Sequence, residues 1–161
     1  MPKIAANEKA FTLIELLIVV IIISILAILT FVSFTQVQKN ARDGQRKGDL
    51  QAVAGVLQRF YSDNSKYPPA SSGRISINSG GLCATEPGSG ITWGTGSIVC
   101  GGENYIKALP ADPITSTTTQ YCYVRTAINQ GYELYANLES STGNSYTCNG
   151  FTYNYRVTSN D

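Results

Sequence analysis

The sequence predicts an α+β protein, a long N-terminal helix with its C-terminal half packed on a small antiparallel sheet and a long loop before that sheet. Three observations predict it. Residues 16–38 run for 23 positions without a formal charge. Leu50, Val53, Leu57 and Phe60 then repeat at three- and four-residue spacing, the signature of a helix with one apolar face. Beyond residue 119, short Tyr-rich segments alternate apolar and polar side chains as half-buried strands do.

The charge-free run sets the first element. At ~1.5 Å per residue a helix of that length crosses the ~30 Å hydrocarbon layer of a bilayer. It is too long for the apolar region of a secretory signal, which spans ~7–15 residues before a cleavage site. One residue does not fit a plain anchor. Glu15 sits just inside the edge of the run, between Phe11, Leu13 and Ile14 on one side and Leu16 onward on the other. An unpaired carboxylate in lipid costs at least a few kcal/mol, so an acid there demands a partner. No Pro lies between Pro2 and Pro68, so the helix is expected to continue from about residue 12 to 62. The apolar half comprises 11–38 and the amphipathic half 39–63. Such a helix is about 75 Å long, more than a small head covers, so its N-terminal half is expected to project. Asp63-Asn64-Ser65 and Pro68-Pro69 end it.

The remainder, 64–161, is expected to form one head, with a loop over 64–118 and a sheet over 119–157. Residues 70–102 are Gly-, Ser- and Thr-rich and read as irregular, with Trp93 as the plug of a satellite core beneath the loop. The segment "ENYIKALPADP" reads as a short helical turn packing Tyr105, Ile106 and Leu109. Three strands follow, in "QYCYVRT", "GYELYANL" and "SYTCNGFTYNYRV", the first two joined as a hairpin across Ala127–Gln130. Most of the Tyr residues are ordinary sheet residues in this reading.

The four Cys, at 83, 100, 122 and 148, lack metal-finger spacing. Beyond a membrane segment they read as two disulfides of an oxidising compartment. Three connectivities are open; the sequential pairs Cys83–Cys100 and Cys122–Cys148 are favoured because each closes a short loop. Other function classes are excluded by what is missing. The chain has no His and a net charge of +1. No nucleophile–base spacing suggests an enzyme. "GSGITWGTG" lacks the Lys-Ser/Thr of a phosphate loop, and no Asp-rich loop suggests Ca²⁺. No cofactor, metal or DNA partner is expected.

The segment "KAFTLIELL" resembles the processing site of type IV pilins and of the pseudopilins of type II secretion. The resemblance implies a leader, 1–10, with Lys3 and Lys9 as its basic residues. A prepilin peptidase would cut between Ala10 and Phe11, and the new Phe11 amine would be methylated. Ala10 stands where the family usually has Gly. Glu15, four residues after the cut, aligns with the family's assembly residue. Ser24 and Val32 stand where many pilins carry Gly and Pro. "YSDNSKYPP", "LPADP" and "YELYANLES" are also similar to segments of bacterial pilins and major pseudopilins. The resemblance implies an αβ-roll fold and a structural role. The chain would lie in the cytoplasmic membrane with its N-terminus in the cytoplasm and then form an extracellular filament. Its partners would be identical or related subunits, the peptidase–methyltransferase, a membrane platform and an assembly ATPase. A surface pilus subunit is the leading expectation, and a pseudopilin of a secretion or competence system the alternative.

Overall fold

The computed structural model describes residues 11–77, 88–114, 120–126, 131–141 and 143–159, with the side chains of 29–33 outside the description. The chain divides into two units, Met1–Gln38 and Lys39–Asp161. It is an α+β protein in which a long N-terminal helix leads into a segment packed on small antiparallel sheets.

The helix α1 spans Leu13–Asn64. Its C-terminus is made by local chemistry. Ser65 adopts a left-handed φ of 55°, its N–H returns to the Tyr61 carbonyl at 2.7 Å, and the Asn64 amide donates to the Phe60 carbonyl at 3.0 Å. These bonds serve carbonyls that the helix end would otherwise strand. Within the first unit, the expected membrane-crossing half, 11–38, falls partly outside the described side chains. Among the described residues no helix is long and apolar enough to cross a membrane.

The second unit has its own core. Leu50, Val53, Leu57 and Phe60 of α1 are at most 1% exposed, so the stripe read from spacing is the buried face. They pack with Ile75, Trp93, Ile98, Leu109, Tyr123 and Leu134 in one cluster. At Gly44, Gly48 and Gly55 no packed neighbour among the described residues comes within 4 Å of where a Cβ would stand, so none serves a close approach between the described elements.

The stretch 70–102 is less irregular than expected. It holds β1 (Ala70–Ser71), β2 (Arg74–Ile77), β3 (Ser89–Gly90) and β4 (Ile98–Cys100). The expected helical turn near Tyr105 is instead a strand, β5 (Glu103–Ile106), paired antiparallel with β4. Tertiary packing decides it: the Tyr105 ring lies 5.0 Å from that of Phe60, and its hydroxyl donates to Asp63 at 3.0 Å. Neither contact was visible in local spacing. Trp93 is buried in the main core rather than a satellite of it.

The expected sheet forms from β6 (Cys122–Arg125), β7 (Tyr132–Ala136) and β10 (Tyr155–Thr158), antiparallel in the order β10-β7-β6. Tyr123 faces Leu134 in one pair and Val157 faces Leu134 in the other, which sets the core-facing register. The joining residues Ala127–Gln130 lie outside the described residues. The last expected strand proves to be two elements more. β8 (Tyr146–Cys148) and β9 (Phe151–Tyr153) form a hairpin turned at Asn149-Gly150. Both turn residues have positive φ, 48° and 81°, as a two-residue turn compatible with strand twist requires. The small sheet β1-β2-β3 approaches β6 through Gly73, whose carbonyl accepts from the Tyr123 N–H at 2.9 Å. A Cβ at Gly73 would lie 2.5 Å from Cys122 Sγ, so this approach needs glycine.

Cys122 and Cys148 form a disulfide that ties β6 to β8. Cys100 is also disulfide-bonded, and its expected partner, Cys83, lies outside the described residues.

Candidate assembly site

Helix α1 starts with two reciprocal hydrogen bonds. The Thr12 hydroxyl accepts from the Glu15 N–H at 3.3 Å, and Glu15 Oε2 accepts from the Thr12 N–H at 2.9 Å. The Thr12 hydroxyl proton also goes to Oε2, at 2.8 Å. This T-x-x-E arrangement is a capping box, which satisfies donors that the first turn leaves open. A carboxylate in the first turn also faces the positive end of the helix dipole. The sequence signal was present as Thr12 and Glu15 three residues apart, and the reading of Glu15 as an unaccompanied acid missed it.

The capping box leaves the carboxylate unfinished. Both bonds fall on Oε2, and Oε1 has no partner among the described residues. Hydrogen bonds from neutral donors satisfy a carboxylate's lone pairs without cancelling its charge. A cation placed beside Oε1 would do both.

Around this acid the surface is apolar and open. The large apolar side chains from Phe11 to Ile28 are between 50% and 92% exposed. Ser24, at the position aligned with a family Gly, turns its hydroxyl back to the Val20 carbonyl at 2.7 Å and so presents no free polar group. Contiguous apolar patches of more than a few hundred Å² are rare on proteins that stay alone in water. Of the two residues expected to flank the cut, Phe11 is 85% exposed, and Ala10 lies outside the described residues.

A second cluster was not foreseen. Arg46, 1% exposed, grips Asp112 with two parallel bonds of 2.8 and 3.1 Å, and reaches Asp43 and Glu139 at 3.0 Å each. Arg42 holds Glu139 with bonds of 2.6 and 2.5 Å. Asp43 accepts from the backbone N–H groups of Glu139 and Ser140, at 2.8 and 2.9 Å, and from the Ser140 hydroxyl. The cluster locks α1 to the segments after β5 and β7. The Arg42 guanidinium, aided by Arg46, holds the Glu139 carboxyl down to about 2. Burial opposes ionisation of Asp43, but the Ser140 and Glu139 donors outweigh it and keep its carboxyl below the usual range. Two cations against three carboxylates make this a satisfied structural cluster, with its acids spent on guanidinium groups. Among the described residues no group of His, Cys, Asp and Glu is placed to hold a metal. Spacing along the sequence does not reveal the cluster, because Asp112 and Glu139 lie 66 and 93 residues from Arg46.

Residues 5–31 match the family model described as the prokaryotic N-terminal methylation motif, the signature of type IV pilins and pseudopilins. No curated protein and no solved structure matches the chain.

Proposed function

We propose that this chain, which carries over residues 5–31 the signature of type IV pilins and pseudopilins, is a structural subunit of a pilus-like filament rather than an enzyme. In this reading it enters the cytoplasmic membrane with its N-terminus in the cytoplasm. The leader is removed between Ala10 and Phe11, the Phe11 amine is methylated, and subunits then polymerise into a cell-surface fibre. The partners are other copies or related subunits, the processing peptidase and the assembly machinery of the membrane. A secretion or competence pseudopilus is the other filament of the same class.

The observation that carries the reading is Glu15 Oε1, left without a partner among the described residues inside an exposed apolar surface. Cleavage before Phe11 creates a cationic amine in the same layer. A neighbouring subunit's Phe11 amine neutralises Glu15 and completes its coordination, so each copy supplies what the next one lacks. Removing one member of such a pair strands the other in low dielectric. Identical apolar helices rebury the surface that leaves lipid, and head-to-tail contacts that do not close produce an open fibre. The disulfides suit an extracytoplasmic head, with Cys83–Cys100 proposed as the second bridge.

Two measurements test this. The intact mass of the membrane-extracted protein should equal residues 11–161 plus one methyl group; retention of Met1 refutes processing. Glu15→Ala should insert in the membrane normally and be absent from fibres sheared off cells. Wild-type fibre yield from Glu15→Ala refutes the pairing.

A further inference from the structure

We propose that the head binds one unit of an acidic carbohydrate, a sugar ring bearing a carboxylate, in the cavity beside Trp93. This goes beyond the filament reading and does not depend on it. The cavity has a volume of about 180 Å³. Cavities near ~150 Å³ hold a single six-membered ring, whereas drug-sized ligands need ~300 Å³ or more. It lies wholly in the second unit, where β2, the start of β6 and the β8–β9 hairpin meet.

Its lining is chemically uneven. Ser72, Arg74, Gln120 and Asn149 contribute polar side chains, and none of the four has a hydrogen-bond or ionic partner among the described residues. The Arg42, Arg46, Asp43, Asp112 and Glu139 side chains, by contrast, are all spent on one another and on nearby groups of the chain. Unspent donors and acceptors converging on one cavity are the usual means of orienting a polar ligand. The other wall is aromatic, with Trp93, Phe151 and Tyr153. Trp93 is fixed edge-on by Tyr121 at 5.5 Å, and Phe151 remains 41% exposed at the rim. A pyranose has this dual character: a C–H face that lies on aromatic rings and a ring of hydroxyls that amides bind in pairs.

The charge decides the kind of sugar. Arg74 is the cation of the lining, and no Asp or Glu among the described residues lines the cavity. The aliphatic stem of Arg74 passes over Gly90, where a Cβ would stand 3.3 Å from it, so the residue is laid along the sheet. A guanidinium without an acid partner favours a carboxylate, which it binds through two parallel bonds. Asn149 is presented by the left-handed turn between β8 and β9, with φ of 48°.

Trp93 is the sole Trp of the chain, so its emission reads the cavity directly. The full-length protein, solubilised in a detergent without a sugar headgroup, is titrated with sodium glucuronate, glucose and sodium acetate. Glucuronate should give a saturable change in emission, glucose should bind at least ten-fold more weakly, and acetate should give no saturable change. Arg74→Gln should reduce glucuronate to the level of glucose. Asn149→Gly, which keeps the left-handed turn, should weaken both sugars. The proposal is overturned if neither sugar gives a saturable change, if acetate matches glucuronate, if glucose binds as tightly as glucuronate, or if both variants bind glucuronate as the parent does.

Discussion

Two side chains near the start of α1 hold a structural role that leaves room for the proposed assembly role. Thr12 and Glu15 complete each other in the capping box, and the bonds use one carboxylate oxygen. Thr12→Val keeps the shape of the side chain and removes the hydroxyl. It should weaken the first turn by about 1 kcal/mol, seen as roughly five-fold faster amide exchange there. It should leave the carboxylate free to pair, so fibre yield falls far less than with Glu15→Ala. Equal loss from both variants would mean that the cap itself, and not the charge, drives assembly. Arg46 follows another logic because it is sealed from water. Arg46→Met strands Asp112 and Asp43 in the interior and should cost about 3–5 kcal/mol in urea unfolding of the head. Arg42 has a side chain 29% exposed, and Arg42→Met should cost much less, because water screens an exposed pair. Similar losses for the two would show that burial is not what sets the difference.

At the level of elements, α1 combines two surfaces with opposite needs. Its stripe of Leu50, Val53, Leu57 and Phe60 is buried by the head, while the large apolar side chains from Phe11 to Ile28 remain exposed. Expressed alone, residues 39–161 should therefore be soluble and monomeric in sedimentation, with the core around Leu57 and Tyr123 intact. Aggregation of that fragment would place part of its stability in the apolar half. Both surfaces of α1 were legible from spacing, because helical periodicity depends on neighbours three and four residues apart. The strands were legible where alternation was local, as in β6 and β7. Where a turn hid inside a continuous alternation it was lost: Tyr146 to Val157 read as one strand, although Asn149-Gly150 is a strong two-residue turn signal. The strand at Tyr105 was illegible for the opposite reason, since the contacts that hold it extended come from Phe60 and Asp63 on α1. The Arg46 cluster was hidden likewise. Only folding brings residues 43, 112 and 139 to one guanidinium.

The whole head should respond to pH as a plateau with two edges, each set by a different residue type. On the acid side, Glu139 falls from its ordinary 4.5 to about 2 through Arg42 and Arg46, and Asp43 is also lowered. A carboxyl depressed in the folded state binds its proton later than in the unfolded chain. Its contribution is present above pH 4.5 and is lost as the pH falls toward 2. On the alkaline side the buried tyrosines reverse the sign. Burial, joined by the Glu133 hydrogen bond, pushes Tyr135 from 10.0 to about 12. Burial also raises Tyr123, and burial with the Asp49 hydrogen bond raises Tyr121. These hydroxyls keep their protons in the fold after the unfolded chain has lost them. Their stabilisation is complete below pH 10 and declines above it. Urea midpoints of the head should therefore be level between about pH 5 and 10 and fall beyond each limit. Glu139→Gln should lower the plateau and flatten the acid edge while leaving the alkaline edge in place. Tyr123→Phe loses only a hydroxyl that donates to the Pro68 carbonyl at 2.7 Å, and it should soften the alkaline edge alone. If Glu139→Gln moved both edges, or neither, the acid limb would belong to carboxylates elsewhere and the Arg46 cluster would not be the element that fastens α1 to the sheet.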